Sequence, residues 1–386
     1  MASDPDEVLP RGVEIDENPD TKYRVDLQVH TKWSDGYLTP DVLLDRANNP
    51  QRLISVISFT DHDTTRGYDT PGLRQLKEGY AEGILRRVTE IEFSDGHPHT
   101  KACCIDPADP GAPHQGMPLL EYQGPPMPVS FMQNSPATDA LVASYRTFLI
   151  QGAEISTRLD GRRFDLLAYF MPASDPWFNE VFERQVEPRE KRAKLMVDDL
   201  REQYKWPITM QEVLSETGIA RRVFQPHIAS AILYLRDDNK IDIPRHWRIS
   251  DVITEYLSPG CDAYHPINLE VLPTTQEVIE RLLILGAVPV MPYSKSCDSV
   301  ATMRLLQEWA CGLMGAEVVN LRSTKEQIDD MRKAVTENGV QLETSGSDFH
   351  GLYHDRKDRR KLGVPATEPY KVLENLIKHR QRIQNR

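Results

Sequence analysis

Residues 23–63 read YRVDLQVHTKWSDGYLTPDVLLDRANNPQRLISVISFTDHD, and this stretch contains two strand patterns separated by a helix pattern. Residues 23–30 alternate apolar and polar side chains, like a strand that ends in polar residues. Residues 39–49 begin with Thr-Pro, a helix N-cap followed by a favoured first helical residue. Residues 53–60 form a second, buried strand that ends at Asp61-His62-Asp63. Parallel α/β sheets and barrels place their active sites at such carboxyl ends of strands.

The remaining sequence continues to alternate between strand and helix patterns. Residues 149–171 predict a strand pair with a hairpin turn at Asp160-Gly161. Residues 176–235 are mostly helical and include a strongly amphipathic stretch. Alternating strands and helices favour a parallel sheet or barrel. The other predicted helices cover residues 73–87, 274–286, 299–314 and 324–338, and the other predicted strands cover 287–293, 316–321 and a segment that ends in SGSDFHG at 345–351.

The same patterns divide the chain into segments. Residues 1–22 are acidic and contain proline, which predicts a mobile N-terminal tail and not a signal peptide. An α/β body then covers residues 23–171 and 262–386, and residues 172–261 form a helical insertion or cap. Within the body, a segment of about 94–148 lacks periodicity over most of its length, which indicates a functional loop or an insertion.

Composition limits the classes of partner. The 386 residues carry a formal net charge of −12, which disfavours binding to a nucleic-acid polymer. A small phosphorylated substrate remains compatible, because a bound metal ion supplies positive charge locally. No run of 18 or more apolar residues occurs, so we expect no membrane partner. The five cysteines have no paired spacing, which favours reduced thiols and a cytoplasmic location, whereas the oligomeric state stays open.

Histidines and carboxylates cluster at the predicted strand ends. Metal hydrolases need such ligands on rigid strands, with one coordination position left for water. Residues i and i+2 of a strand point to the same face, so the side chains of Gln28 and His30 point the same way, as do those of Asp348 and His350. Any single residue of this kind is commonly a structural hydrogen-bonding group, but four clusters together predict a metal centre. The clusters are Gln28-Val29-His30 with Asp35, Asp61-His62-Asp63, Glu154, and Asp348-Phe349-His350.

Two motifs connect the chain to a known family. DLQVHTKWSDGYLTPDVLLDRA (26–47) followed by SFTDHDTTRGYD (58–69) resembles the opening of phosphoesterases of the PHP (polymerase and histidinol phosphatase) family. The resemblance runs in order to about residue 363 and is interrupted before Gly152. It implies an α/β fold, a distorted (β/α)7 barrel with a helical insertion and a long extra loop. Further similar segments are GAEIST (152–157), RVFQPHIASAIL (222–233), YLSPGCDAYHPIN (256–268) and GSDFHG (346–351).

The resemblance also implies the ligands of two or three metal ions. The first ion would be held by Gln28, His30, Glu154 and Asp348, and the second by Asp35, His62 and His350. The third would use Glu154 with the positions of Asp165 and Met291.

Four positions depart from the family pattern. Gln28 replaces the first histidine of the HxH pair, Asp165 replaces another histidine, and Met291 stands where the family has a third. A thioether is a poor ligand for hard or borderline cations. Gln225 stands where the family has an arginine that precedes His227 by two residues. We therefore expect one or two divalent ions, Mn²⁺, iron or Zn²⁺ with Mg²⁺ as an alternative, and no third ion.

For a phosphoesterase, the resemblance implies attack by metal-bound hydroxide on the phosphorus of a small phosphorylated metabolite or nucleotide. Asp35 or His62 would orient or deprotonate the water, and His227 would contact the phosphate or protonate the leaving group. The substrate-binding candidates are Arg221, Arg222, Gln225 and Lys295, although solvated surface charge is the alternative for each cation.

Several alternatives stay open. The altered ligands also fit a hydrolase, lyase or cyclase that acts on a non-phosphorylated substrate, or a non-catalytic scaffold. Glu90 or Glu92 with His99 is a competing ligand set, and we prefer Glu154 because its spacing to residues 164–172 matches the family. His97, His99 and His114 would then lie in the 94–148 segment, where one of them could replace a missing ligand if this segment acts as a lid.

Overall fold

The computed structural model describes residues 23–48, 53–69, 84–104, 118–123, 146–217, 222–292, 298–351, 362–365 and 368–386. The predicted tail, residues 1–22, lies outside the described residues. The strands are β1 (Tyr23–Val29), β2 (Leu53–Phe59), β3 (Ile84–Ser94), β4 (His97–Cys104), β5 (Leu119–Gln123), β6 (Arg146–Leu159), β7 (Arg162–Tyr169), β8 (Val288–Met291), β9 (Gly315–Asn320), β10 (Glu343–Gly346) and β11 (Val364–Pro365). The α-helices are α1 (Pro40–Ala47), α2 (Pro176–Glu183), α3 (Val186–Tyr204), α4 (Met210–Thr217), α5 (Gln225–Asp237), α6 (Ile249–Val252), α7 (Thr275–Ile284), α8 (Ser299–Trp309), α9 (Lys325–Glu337) and α10 (Pro369–Gln384).

One curled sheet organises the α/β fold, with the strand order β10-β9-β8-β7-β6-β2-β1-β11. The pairs β1/β2, β2/β6, β8/β9 and β9/β10 are parallel, as predicted. The pairs β6/β7, β7/β8 and β1/β11 are antiparallel, so the sheet is a mixed half-barrel and not a uniformly parallel one. The carboxyl ends of β1, β2 and β10 therefore meet at one rim.

The apolar strands explain why the sheet forms. Every residue of β2 is buried, as expected for a strand covered on both faces. The hairpin β6–β7 turns at Asp160-Gly161, where both residues adopt positive φ, so the predicted hairpin is confirmed. The predicted helical stretch after residue 176 is also confirmed, and helices α3–α6 enclose an apolar cluster of their own. None of the helices in the described part of the chain is long and apolar enough to cross a bilayer.

The predictions for residues 73–148 were partly wrong. Residues 84–87, predicted as the end of a helix, begin β3, and residues 70–83 lie outside the described part of the chain. The segment predicted as a long loop contains the hairpin β3–β4 and strand β5, which joins β3 to β6. The overlooked signal was Asp95-Gly96, whose positive φ angles form the hairpin turn.

A buried carboxylate joins the two ends of the sheet. Asp26 on β1 accepts hydrogen bonds from the backbone N–H of Ser347 at 2.9 Å and from its hydroxyl at 2.6 Å. It also accepts one from the N–H of Gly363 at 2.7 Å. A Cβ at Gly346 would lie 2.6 Å from the Cβ of Gln28, so only glycine permits this approach of β10 to β1. Asp26 thus fixes the strand ends that carry the site.

Asp26→Ala is expected to lower the free energy of unfolding by about 3 kcal/mol, because it leaves three buried donors without an acceptor. Urea denaturation of the purified protein measures the change. Asp329→Ala, at an exposed position of α9, is the control and should change stability by less than about 0.5 kcal/mol. Equal stability of the two variants would contradict the role of Asp26.

Candidate metal centre

The turn after β1 brings His30 and Asp35 together. His30 follows the last residue of β1, and its N–H donates to the carbonyl of Phe349 at 2.9 Å. The turn then folds back through Gly36, where a Cβ would lie 2.2 Å from the His30 carbonyl oxygen. Asp61 holds this turn by accepting hydrogen bonds from Thr31 and Ser34, at 2.6 to 2.7 Å. Asp61, which the sequence placed among the clustered carboxylates, therefore positions Asp35.

The second pair of candidate ligands comes from β2 and β6. His62, just after β2, forms a parallel bridge with Glu154 of β6. The N–H of Glu154 donates to the Asp61 carbonyl at 3.2 Å, and the N–H of Asp63 donates to the Glu154 carbonyl at 2.9 Å. The side chains of His62 and Glu154 therefore lie beside each other at the rim.

Asp348 and His350 complete the cluster from the segment after β10. Asp348 adopts a φ of 53°, a conformation that is uncommon for residues other than glycine and concentrates at functional sites. Arg322 pairs with its carboxylate at 2.6 Å. Nδ1 of His350 lies 2.8 Å from the Asp348 carbonyl and 3.0 Å from Arg322, so Nε2 faces Asp35 at 3.4 Å.

His30 occupies the middle of the cluster. Its Nε2 lies 3.1 Å from a carboxylate oxygen of Asp348 and 3.2 Å from one of Glu154, and its Nδ1 lies 3.7 Å from Asp35. Its ring stacks on His350 with centroids 4.2 Å apart and lies 4.7 Å from the ring of His62. Two overlapping groups result, each with ligand atoms within 4.8 Å of one another: His30 with Asp35, His62 and His350, and His30 with Glu154 and Asp348.

Four polar atoms of the cluster are buried without a hydrogen bond to any described residue. Both ring nitrogens of His30, Nδ1 of His62 and Oδ1 of Asp35 have no hydrogen-bond partner among the residues that the structure describes. A buried polar atom without a partner costs about 1–3 kcal/mol, so such atoms need a further group. Histidine nitrogens and carboxylate oxygens are the ligands that Zn²⁺, Mn²⁺ and iron accept. The cluster therefore fits a divalent metal ion.

The charges of the cluster support the same interpretation. Burial lowers the pKa of His30, but the carboxylates of Asp348, Glu154 and Asp35 outweigh it and raise the pKa well above its usual value. Burial raises the pKa of Asp35, yet the nearby His350 and His62 hold it well below the usual range. The carboxylates thus stay ionised and attract a cation to the rim.

Gln28, predicted as a weak ligand, is held by hydrogen bonds to two neighbouring side chains. Asn320 donates its amide to Oε1 of Gln28 at 2.8 Å, which leaves Nε2 of Gln28 to donate to Glu154 at 3.1 Å. Asn320 also donates to the buried Glu317 at 3.1 Å. In this arrangement Gln28 donates to the candidate ligand Glu154 and orients it, and a role of Gln28 as a metal ligand stays a prediction.

Asp165 lies where the sequence placed it, close to His62 and Glu154 in a third group of ligand distance. Its carboxylate is paired with the guanidinium of Arg163 at 3.0 Å. Met291 is fully buried in the apolar core of the barrel. An arginine thus supplies positive charge beside Asp165, and the expectation that this group holds no third ion stays a prediction.

The predicted catalytic and substrate-binding residues have varied positions. His227 is buried; its Nδ1 accepts the N–H of Phe224 at 3.1 Å, and burial lowers its pKa to about 4. Gln225, the first residue of α5, donates its side-chain amide to the Leu257 carbonyl. Arg222 is buried and donates to the Phe182 carbonyl at 3.1 Å. Arg221 and Lys295 lie outside the described residues.

The alternative ligands on β3 and β4 make their contacts within that hairpin and not with the cluster. Glu90 pairs with the exposed Lys101 at 2.5 Å, and Glu92 is exposed opposite His99 in the hairpin. His97 is also exposed, and His114 lies outside the described residues. The structure brings Glu154 to the candidate centre, as we preferred from the spacing.

Sequence reasoning overlooked the residues that surround the ligands. Arg322 and Asn320 come at the end of β9, and Glu317 lies within it. The rule that strand ends carry functional residues applies to β9 as well, because residues 315–322 form an apolar strand followed by Asn and Arg. Asn320 and Arg322 are neither histidines nor carboxylates, and Glu317 lies within the strand and not after it, so a search for histidines and carboxylates at strand ends did not select them.

Comparisons with known proteins agree on the fold. No protein-family model and no curated protein matches the chain. A solved structure from Bifidobacterium adolescentis, provisionally described as a metal-dependent phosphoesterase, is similar over 92% of this chain and 97% of that one, with 19% identity and a TM-score of 0.58. An amidohydrolase from Chromobacterium violaceum, solved with bound sulfate and no metal, is similar over 92% and 96%, with 17% identity and the same TM-score of 0.58.

These similarities establish an architecture. The chain has the same kind of fold as these two proteins, and its buried histidine–carboxylate cluster lies at the rim where the carboxyl ends of β1, β2 and β10 meet.

Proposed function

We propose that this protein is a metal-dependent hydrolase, and specifically a phosphoesterase that acts on a small phosphorylated metabolite or nucleotide. The observation that carries the proposal is the environment of His30, a buried ring that faces three carboxylates and has no hydrogen-bond partner on either nitrogen among the described residues. A proton on such a ring satisfies the charge of the carboxylates, but a divalent ion would satisfy that charge and also bind the unprotonated nitrogen of the neutral ring.

One or two ions fit the ligand groups. The first group consists of His30, Asp35, His62 and His350, and it contains the ligands expected for the second ion. The second group consists of His30, Glu154 and Asp348, and it contains three of the ligands expected for the first ion. When bound, a divalent ion supplies Lewis-acid activation of water and neutralises charge on the phosphoryl oxygens. The second group has lost the ligand that Gln28 would have provided, so it should bind its ion more weakly.

The chain's own residues position the reactants. Of the residues in the first group, His62 has the most exposed side chain, with 12% of its surface accessible, so it is the one that meets substrate. Asp35 and His62, 3.9 Å apart, can orient a water molecule and hold its proton. His227 uses its Nδ1 to cap α5, so we give it a positioning role beside Phe224, whose ring lies 5.4 Å from that of His62.

Two observations support a phosphoester substrate. One structural neighbour is provisionally described as a phosphoesterase, and the other holds sulfate, a tetrahedral oxyanion like phosphate. That second neighbour is described as an amidohydrolase, which favours a non-phosphorylated amide, ester or lactone as the alternative substrate. The net charge of −12 continues to disfavour a nucleic-acid polymer.

A substrate screen distinguishes these alternatives. We expect phosphate release from small phosphomonoesters or nucleotides by the metal-loaded protein, and a decrease of at least about a hundredfold in kcat/KM for His62→Ala. His246→Ala, at an exposed histidine of the helical segment, should retain the activity of the wild type. Turnover of amides, esters or lactones with no phosphate release would replace the phosphoesterase proposal by the alternative.

A further inference from the structure

Four arginines line the side of the metal centre that faces the helical segment. Arg163 lies on β7, Arg189 and Arg192 lie on α3, and Arg222 precedes α5. Arginine is rarely buried in proteins unless it is paired, because desolvation of its charge is costly. The partners of these arginines therefore show whether the positive charge here is compensated.

Two of the four have carboxylate partners. Arg189 binds the fully buried Asp63 at 2.5 Å and also donates to the hydroxyl of Ser156 at 3.1 Å. Arg163 binds Asp165 at 3.0 Å through its Nε. The two terminal nitrogens of Arg163 have no partner among the described residues, and its side chain is 32% exposed.

The other two have none. Arg192 donates through Nε to the carbonyl of His265 at 2.5 Å and lies over the ring of Tyr264, 5.7 Å from its centroid. Arg222 is only 4% exposed, and its Nε has no hydrogen-bond partner in the described part of the chain. No carboxylate of the described residues lies within 4.0 Å of either guanidinium. Neither guanidinium thus forms an ion pair with a described residue, although Asp63 and Glu183 attract Arg222 from a longer distance.

These charges act on one another and on the metal centre. Burial, together with the charges of Arg189 and Arg163, lowers the pKa of Arg192 to about 10. Arg163 pairs with Asp165, which lies at ligand distance from His62 and Glu154. Arg192 follows Arg189, the partner of Asp63, by three residues on α3, so both lie on the same face of that helix. The arginine side therefore borders the metal centre, and it carries a surplus of positive charge while the chain as a whole is acidic. Such a local surplus is typical of a site that binds an anion.

We infer that Arg163 and Arg192 form an oxyanion subsite next to the metal centre, which binds a phosphate or carboxylate group of the substrate other than the bond that is hydrolysed. The free fork of Arg192 and the terminal nitrogens of Arg163 offer paired N–H donors, which match the oxygens of such a group. Arg222 adds a further buried positive charge close to Arg189. This inference rests on the proposed function and narrows its substrates to molecules with a second anionic group.

Calorimetric titration of the full chain with inorganic phosphate tests the inference, both as purified and after removal of metal by a chelator. We expect phosphate binding in both states, weakened at least about tenfold by Arg192→Met, since a hydrogen bond to a charged group accounts for about that factor. Arg192→Lys, which keeps the charge without the fork, should fall between. Arg201→Met, an exposed arginine of the same helix, should bind phosphate like the wild type. Titration with acetate distinguishes a phosphate subsite from a carboxylate subsite by the tighter of the two probes.

The outcomes separate this inference from the proposed function. Phosphate binding that is lost with the metal and is unaffected by Arg192→Met would overturn the subsite and leave the metal centre intact. Absence of phosphate binding in both states would also overturn the subsite. Binding that depends on Arg192 in a protein that holds no metal as purified, and that takes up none when Mn²⁺ or Zn²⁺ is added, would support the subsite and contradict the metal-dependent hydrolase.

Discussion

His30→Ala is expected to abolish tight metal binding, with dissociation constants that rise by more than about a hundredfold for the ions of both ligand groups. His30 is the residue that the two groups share, and its Nε2 lies between the carboxylates of Asp348 and Glu154. Loss of a residue that merely orients a ligand already costs about 10–100-fold in affinity, so loss of a shared ligand should cost more. Calorimetric titration of the chelator-treated protein with Mn²⁺ and Zn²⁺ measures the effect.

His246→Ala is the matched control, because it removes an exposed histidine outside the candidate ligand groups. It should bind both metals like the wild type. Circular dichroism should show that both variants keep their secondary structure. Alanine at position 30 removes the attraction between the imidazole and the carboxylates, but it removes no backbone hydrogen bond. Metal affinity that is unchanged in His30→Ala would contradict the assignment of the centre to this cluster.

The second large effect concerns stability. Arg189→Met is expected to lower the free energy of unfolding by about 3–5 kcal/mol, because it leaves the charge of Asp63 buried without its partner. Asp63 is fully buried and is held in a positive-φ conformation, and its Oδ1 also accepts the N–H of Ser156 at 2.8 Å. The carboxylate cannot reach water without breaking this hydrogen bond. Chemical denaturation with urea measures the change.

Arg201→Met on the same helix provides the comparison. Its ion pair with Asp198 is exposed and spans 3.8 Å, so its removal should change stability by less than about 1 kcal/mol. The double variant Asp63→Asn with Arg189→Met should recover part of the lost stability, since no buried charge then remains. A loss in Arg189→Met as small as that in Arg201→Met would show that Asp63 is neutral or solvated in the folded protein.

The sequence predicted the candidate site well where the ligands follow strands. His30, His62, Asp348 and His350 were selected because each comes directly after an apolar strand, and parallel strands bring such ends together. This reasoning needs only local patterns and the direction of the strands. The same patterns predicted the hairpin at Asp160-Gly161, whose turn residues adopt the positive φ angles that they favour.

Side-chain orientation could not be predicted in this way. Whether Gln28 offers its oxygen or its nitrogen to the centre depends on Asn320, which lies 292 positions away in the chain. No local pattern pairs these two residues. The pairing of Asp165 with Arg163 likewise depends on the rotamer of an arginine two residues away on the same strand. Hydrogen-bond partners between distant segments exist only once the sheet has closed, so local patterns do not specify them.

The hairpin β3–β4 was missed for a different reason. Residues 90–93 of β3 alternate charged and apolar side chains, but half of the described side chains in the two strands are exposed, so the apolar signal is weak. The proline and glycine content of the neighbouring residues then favoured a loop. The Asp95-Gly96 turn and the alternation before it were the stronger evidence, and they should have been given more weight than the composition.

The most direct test of the account is the metal content of the protein purified without chelators, measured by elemental mass spectrometry beside the His62→Ala variant. The account predicts one or two equivalents of Mn, Fe or Zn per chain, decreasing in the variant. Less than about 0.1 equivalent in the wild type, unchanged in His62→Ala and not restored by added metal, would contradict the metal centre. A folded scaffold without metal chemistry would then be the better description of this chain.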